Sequence, residues 1–403
     1  MSMPHFPRPE NPQIISQLKR RKFIQFASTA AIAALTSRTL NGCANTTTPG
    51  GADSPNPATS AGKTLRVLSW PGYDEPEVIR DFEQQFNVKV EFKTYIGGEQ
   101  MLQFFNQSPR GTFDALISDG EYVQKLVALK ALDALNPETL PEIKNYYPEY
   151  QNFPGFILDG KTMAAGTRCG VYGIAYNKKI LQPSEVRSWN VLFAPELQGK
   201  VGLFDWYLPN MGNASMALFP GNENPYKLTD QQLQQVAYWM VKLKPSVSLV
   251  TSSVQDINNA FINGNIVAGP VGDWVILGAI AEGKTDFAAV VPDEGAIRWS
   301  EAAAVCADSK NKDLALEWVK YMTLPKTQAA LANAKAYKGI ALNKNAVDSM
   351  DQKTKELLGY IPDPNAADKL IVETNVSRTR ARQLPVNQPE KAWQDIYNQF
   401  KTS

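Results

Sequence analysis

The chain has 403 residues, 41 of them basic, 40 acidic and one a histidine. That histidine, His5, lies in an N-terminal stretch that reads as an export segment, so the body has none; Ser-His-Asp and Cys-His catalysis and the commonest zinc and iron ligand sets are excluded. The first 42 residues hold six basic and one acidic residue; the remaining 35 basic and 39 acidic residues give a net charge of −4, no footing for nucleic acid and a mild bias toward cationic partners.

Residues 1–19 are polar and Pro-rich, followed by Arg20-Arg21-Lys22-Phe23-Ile24 and an apolar stretch from Phe26 to Leu35. About ten apolar residues are too few for a bilayer, which needs about 20. A basic flank with a short apolar core reads as a cleaved signal, and the paired arginines resemble the twin-arginine export signal. Leu40-Asn41-Gly42-Cys43 resembles a bacterial lipobox, in which Cys43 takes lipid and becomes the new N-terminus. Residues 1–43 are therefore expected to be a lipoprotein signal. Residues 44–63 are rich in Thr, Pro, Gly, Ser and Ala, cannot bury enough apolar surface to offset ordering entropy, and read as a flexible tether.

The body opens with a strand at Thr64–Trp70, a helix at Glu75–Phe86 with Val78, Ile79, Phe82 and Phe86 at helical spacing, and a strand at Lys89–Tyr95. A helix at Gly98–Gln107, a strand at Phe113–Ser118 and a helix at Glu121–Leu129 complete an alternation that predicts an α/β fold with a parallel sheet. After residue 166 strands are expected at Gly170–Tyr176, Val201–Phe204, Ile266–Gly269, Asp286–Val291 and Ile297–Ala304. Helices are expected at Thr229–Lys242, Val254–Ile262 (closed by Asn263-Gly264), Asp313–Met322, Thr327–Ala336 and Pro389–Phe400.

In open α/β sheets ligands sit beyond the carboxyl ends of the strands, and here those ends carry aromatics and carboxylates. They are Trp70-Pro71-Gly72-Tyr73, Asp119-Gly120-Glu121, Asp205-Trp206, Asp273-Trp274, and Trp299 with Glu301, which share one face of a strand. Ring faces attract a cation for about 0.5–2 kcal/mol each, and carboxylates add charge-assisted hydrogen bonds to N–H groups, so the set suits an organic ammonium. Plainer readings stand beside it. Ser118-x-x-Glu121 fits a capping box, Asp205 fits a helix cap, and Trp70, Trp274 and Trp299 fit a core. Trp189, Trp239, Trp318 and Trp393 read as structural.

On these residues the chain resembles the bacterial spermidine/putrescine-binding proteins, the periplasmic receptors of polyamine ABC importers. The resemblance rests on Trp70 and Tyr73, Phe113-Asp114, Tyr122-Val123-x-Lys125, Ser188-Trp189, Pro195-Glu196-x-x-Gly199, Gly264 with Gly269, Pro292-x-Glu294-Gly295, Trp299 and Lys310-Asn311, and it covers about residues 64–403. It implies a type II periplasmic-binding-protein fold with two α/β lobes and two hinge crossings, near 169–171 and 298–306. Lobe one would be 64–168 plus 301–345, and lobe two 172–297 plus 349–403. Cys169 and Cys306, open on residue type alone to a disulfide or to two buried thiols, would both lie at the hinge. The resemblance implies no catalytic residue, cofactor or metal, and as partners a polyamine and a membrane ABC permease; the lipobox adds a lipid anchor, in the periplasm. Trp70, Tyr73 and Trp299 match ligand-contacting aromatics, Glu301 falls where the family has a binding aspartate, and Gln383 matches a polar contact. Asp119 and Glu121 stand for a serine and a tyrosine. The mid-cleft carboxylate pair is replaced by Trp206 and Pro209, with Asp205 one residue early, and a family tryptophan by Gly272, with Asp273 and Trp274 beside it.

A competing expectation is a receptor for an amino acid or other small carboxylate, clamped by Arg378, Arg380 and Arg382 at alternate positions of a strand-like run. A glycosidase using two of Asp119, Glu121, Asp205 and Glu301 has no support beyond its carboxylates, and ferric iron has no adjacent tyrosine pair.

Overall fold

The computed structural model describes residues 63–402; the export segment, Cys43 and the tether but for its last residue lie outside the described residues. Two sheets organise the body. The first is built from β1 (Lys63–Ser69), β2 (Val88–Thr94), β3 (Ala115–Asp119), β4 (Ala165–Tyr172), β10 (Ala296–Val305), β11 (Ile340–Ala341) and β12 (Thr379–Ala381), in the order β11-β4-β10-β3-β1-β2 with β12 beside β10. The second holds β5 (Ile174–Asn177), β6 (Val201–Phe204), β7 (Val247–Thr251), β8 (Ala268–Pro270) and β9 (Phe287–Val290), ordered β9-β5-β8-β6-β7. Each sheet has its own apolar core, giving the two-lobed periplasmic-binding-protein architecture.

The helices follow their apolar spacing. In the first lobe α1 (Pro76–Phe86) buries Val78 and Phe82, α2 (Gly98–Gln107) buries Met101, and α3 (Gly120–Ala128) buries Val123 and Leu126. In the second, α5 (Asp230–Leu243) starts in a capping box in which Thr229 accepts from the Gln232 amide and Gln232 reaches back. Residues 254–262 form α6 as spaced, and Gly264 follows it at φ +70. Among the described residues five helices are not legible in the sequence, the two longest being α4 (Tyr207–Leu218) and α7 (Asp273–Ala281). Residues 207–218 carry Pro209, Gly212, Asn210 and Asn213, poor helix formers. They are helical because they fill the space beneath both passages between the lobes. Asn213 Nδ2 donates to Tyr172 O at 2.8 Å and its Oδ1 accepts from Ile297 N at 2.8 Å.

The first sheet is mixed, not parallel. β1 runs parallel with β2 and β3, but β10 is antiparallel to both β3 and β4. β4 and β10 carry the chain between the lobes, one outward and one back, so they must run in opposite directions. The strand expected over 170–176 is two: Gly173 separates β4 from β5, where a β-carbon would sit 2.2 Å from Val290 O. Along β10, Ile297 and Trp299 enter the second core and Ala302–Cys306 the first.

One open alternative is decided and one expectation is corrected. Cys169 faces Ser300 across β4–β10, whereas Cys306 lies six residues further along, bridged to Leu132. At about 3.3 Å per residue they are about 20 Å apart, far beyond the reach of a disulfide; both are buried free thiols. The C-terminal passage to the second lobe also falls later than 346–348. Met350, Leu358, Tyr360, Val372 and Val376 bury in the first core, while Trp393, Tyr397 and Phe400 of α8 (Glu390–Thr402) bury in the second, so the chain crosses after β12. The apolar positions of 350–376 are short runs without a long period, and nothing local assigns them to either lobe.

Candidate functional site

Two adjoining cavities, of about 300 and 430 Å³, open between the lobes, and Ile96, Asp119, Trp206 and Arg382 line both. The smaller is aromatic. Trp70 at the end of β1, Trp206 after β6, Trp274 on α7, Trp299 on β10 and Tyr337 after the 325–332 helix form a closed ring of neighbours. Their centroids are 6.1 Å apart for Trp70–Trp206, 5.9 Å for Trp206–Trp274, 6.0 Å for Trp274–Trp299, 6.1 Å for Trp299–Tyr337 and 6.4 Å for Tyr337–Trp70. Most meet edge to face, the arrangement aromatic quadrupoles favour. Gly272 gains a purpose here. A β-carbon on it would lie 1.4 Å from the Trp274 ring, so the indole from two residues on folds back into the space a side chain at 272 would take.

Three buried carboxylates converge behind the rings. Asp119 on β3 and Glu301 on β10 are directly opposed in the antiparallel register, where like charges repel. Two buried arginines make that tolerable. Glu301 accepts from Arg168 Nε at 2.8 Å, Tyr73 Oη at 2.8 Å and Tyr337 Oη at 2.5 Å. Arg382 Nη2 pairs with Asp119 at 2.9 Å, its Nε with Glu121 at 2.5 Å, and its Nη1 donates to Tyr172 Oη at 2.5 Å. The Arg382 guanidinium also lies 5.4 Å from the Trp206 ring centroid and 5.5 Å from that of Tyr172. Burial pushes the Asp119 carboxyl well above the usual range and the Glu121 carboxyl upward, against the pull of Arg382. Trp70 Nε1 and Glu121 Oε2 are buried without a protein partner.

Not every expected site residue opens into the cavities. Trp70, Asp119, Glu121, Asp205, Trp206, Trp274, Trp299 and Glu301 line one or both. Tyr73 is fully buried behind Glu301, between it and Thr167 Oγ1 at 2.5 Å. Asp273 stands behind Trp299: it accepts from Trp299 Nε1 at 3.3 Å, Trp274 N at 2.8 Å and Val171 N at 2.9 Å. Burial raises its carboxyl to about 7. Gln383 is outside both cavities and accepts from Asn224. The plainer readings of two acids also fail. Ser118 forms no capping box, its hydroxyl donating to Asp119 O instead. Asp205 caps no helix and pairs with Lys401 Nζ at 3.1 Å. Of the three alternate arginines only Arg382 reaches the cleft. Arg378 Nη2 donates to Pro292 O at 2.7 Å and Arg380 Nη1 to Thr379 O at 3.1 Å.

Tyr337, Tyr172 and Arg168 were not anticipated. Arg168 had a signal, a lone charge inside an apolar strand run. Tyr337 had none, since it sits in an irregular loop that enters the cleft only once the 325–332 helix is packed.

The comparisons with known proteins agree with this architecture. The family model "Bacterial extracellular solute-binding protein" matches residues 77–359. Over 337 residues the chain is 25% identical to the putrescine-binding periplasmic protein PotF of Escherichia coli (strain K12), covering 79% of this chain and 90% of PotF. The spermidine/putrescine ABC transporter substrate-binding protein PotD from Streptococcus pneumoniae superposes with a TM-score of 0.69 at 20% identity, over 84% of this chain and 99% of that one. The MotA protein of A. tumefaciens B6, solved in complex with glucopine, superposes with a TM-score of 0.62 at 18% identity, over 84% and 99%. The two structural likenesses carry the fold alone.

Proposed function

This chain belongs to the bacterial extracellular solute-binding proteins, the non-enzymatic receptors of ABC importers, and on that premise we propose that its cleft takes an organic ammonium of the polyamine class and delivers it to a membrane permease. The observation that carries the reading is the closed ring of five aromatics standing in front of the opposed carboxylates of Asp119 and Glu301. Rings attract the cation and pack on methylene segments; the carboxylates accept its N–H groups. A few such contacts supply the about 8 kcal/mol of micromolar binding. Trp70, Trp206, Trp274 and Trp299 are the ring contacts and Asp119 and Glu301 the acceptors, while Glu121 and Asp205 belong to the second cavity. Tyr73 and Asp273 act from behind, holding Glu301 and Trp299. Gln383 is withdrawn from the contact set.

The same reading covers the N-terminus: a twin-arginine signal exports the chain, lipid on Cys43 anchors it, and residues 44–63 tether the receptor beside its permease. Among the described residues no helix is long and apolar enough to cross a membrane. A palmitate-labelling experiment comparing the wild-type chain with Cys43→Ser tests the anchor; equal labelling of both overturns it.

Arg382 favours one other reading, a carboxylate solute that displaces Asp119 or Glu121 from its guanidinium. Calorimetry with spermidine, putrescine and a panel of amino acids separates the two. Heat from an amine, reduced tenfold or more in affinity by Trp299→Ala and by Glu301→Gln, is expected. Heat from carboxylate solutes alone removes the amine reading, and unchanged amine affinity in both variants moves the site elsewhere.

A further inference from the structure

Resting on the reading of the cleft as an amine site, we infer that Arg382 sets how many charges the ligand brings: the site takes an amine with one ammonium head and an uncharged, hydrogen-bonding tail, such as a mono-N-acylated diamine, in preference to the parent diamine.

The charge count points there. Asp119, Glu121 and Glu301 are each buried. Arg168 and Arg382, equally buried, face them, Arg168 on Glu301 and Arg382 bridging Asp119 and Glu121. In the empty cleft burial holds the Asp119 carboxyl toward its protonated form; once an ammonium draws that proton off, three carboxylates face two guanidiniums, a deficit of one positive charge. That deficit lies at the opposed pair Asp119 and Glu301, against the aromatic cavity, where a single ammonium completes it. Asp273, the remaining buried acid at this end, opens into neither cavity and already accepts three N–H groups.

The larger cavity, beyond Trp206, offers a second ammonium nothing. Its acids are Asp119, shared with the aromatic cavity and already counted there; Glu121, held by Arg382; Asp205, held by Lys401; and Glu99, which shares Lys125 with Glu390 at the rim. A second cation there would give up its hydration and meet Arg382 on the same carboxylate, a like-charge encounter in a poorly solvated site. The uncharged polar groups of that cavity, Gln100, Tyr122, Gln394 and Asn398, suit an amide. Glu121 Oε2, buried and without a protein partner, has room for one N–H without needing another positive charge. Arg382 faces both carboxylates at ion-pair distance, Asp119 through Nη2 and Glu121 through Nε, and its Nη1 donates to Tyr172 Oη. It therefore acts as a built-in substitute for the ligand's second cationic end.

The test is calorimetry of putrescine against N-acetylputrescine on wild-type protein, Arg382→Gln and the double variant Glu121→Gln/Arg382→Gln. Wild-type protein is expected to bind N-acetylputrescine at least tenfold more tightly than putrescine. Arg382→Gln uncovers two carboxylates and is expected to shift that ratio at least tenfold toward putrescine. The double variant restores a deficit of one and is expected to return the ratio toward wild type. Should Arg382→Gln fail to fold, Lys401→Met, which frees the partly exposed Asp205, is expected to shift the ratio several-fold in the same direction. Putrescine preferred by wild-type protein, or one ratio common to all variants, overturns the inference while leaving the amine reading in place. Failure of both amines to bind wild-type protein overturns both.

Discussion

Asp273 shows how one buried side chain ties stability to the site. It is an acceptor for the Trp299 indole and for two backbone amides, yet burial raises its carboxyl to about 7. An acid with a raised folded-state pKa keeps its proton in the native protein at pH values where the unfolded chain, titrating near 4, has lost it. The native state then binds more protons between about pH 4 and 7, so this contribution is fully present below that window and is lost as pH rises through it. Asp119, raised in the same direction, adds to the slope. Thermal unfolding measured from pH 4.5 to 7.5 is expected to show Tm falling with pH, and Asp273→Asn is expected to fall less steeply. Parallel profiles for the two proteins would mean that Asp273 is ionised throughout. The sequence placed Asp273 among the ligand contacts because it follows a strand; only the packed α7 turns it away from the cleft.

Among the elements, the paired strands β4 and β10 do most to form the site. They run antiparallel between the lobes and present Trp299, Glu301 and Arg168 from adjacent positions. Gly170 faces Trp299 across this pair, and a β-carbon there would lie 2.5 Å from the indole and 2.6 Å from Asp273 Oδ1. Contacts that short force something to move, and the ring and the carboxylate are what stand in the way. Gly170→Ala is expected to lower amine affinity about tenfold or more while far-UV circular dichroism stays unchanged; wild-type affinity in this variant would show that Trp299 need not hold its present pose. That a strand near 297–304 carries Trp299 and Glu301 on one face was legible from alternation alone. That its partner is β4, and that a glycine must lie under the indole, was not, because strand pairing joins residues more than 100 positions apart.

For the whole molecule, the two buried thiols report on integrity. Both lie in the first lobe, in separate places along β4 and β10, and burial raises the Cys169 thiol to about 12. In a Cys43→Ser chain, a thiol reagent at neutral pH is expected to label neither Cys169 nor Cys306 in the native protein, and both in denaturant without prior reduction. A requirement for reductant would restore the disulfide. Ligand binding is expected to raise Tm by mass action, since only the folded cleft binds it.

The sequence by itself determined the α/β class, the absence of histidine chemistry in the body, most helices and strands, and the aromatic and acidic residues that end the strands. These are local quantities: periodicity, turn chemistry and residue type act over a few neighbours. Only the tertiary structure decided which acids are free and which are held, that Trp274 takes the space over Gly272, that Tyr337 closes the ring, and that Arg382 sits between Asp119 and Glu121. Burial and charge pairing depend on what long-range packing brings within a few ångströms, and in this cleft the contributing segments come from both lobes and from the strands between them.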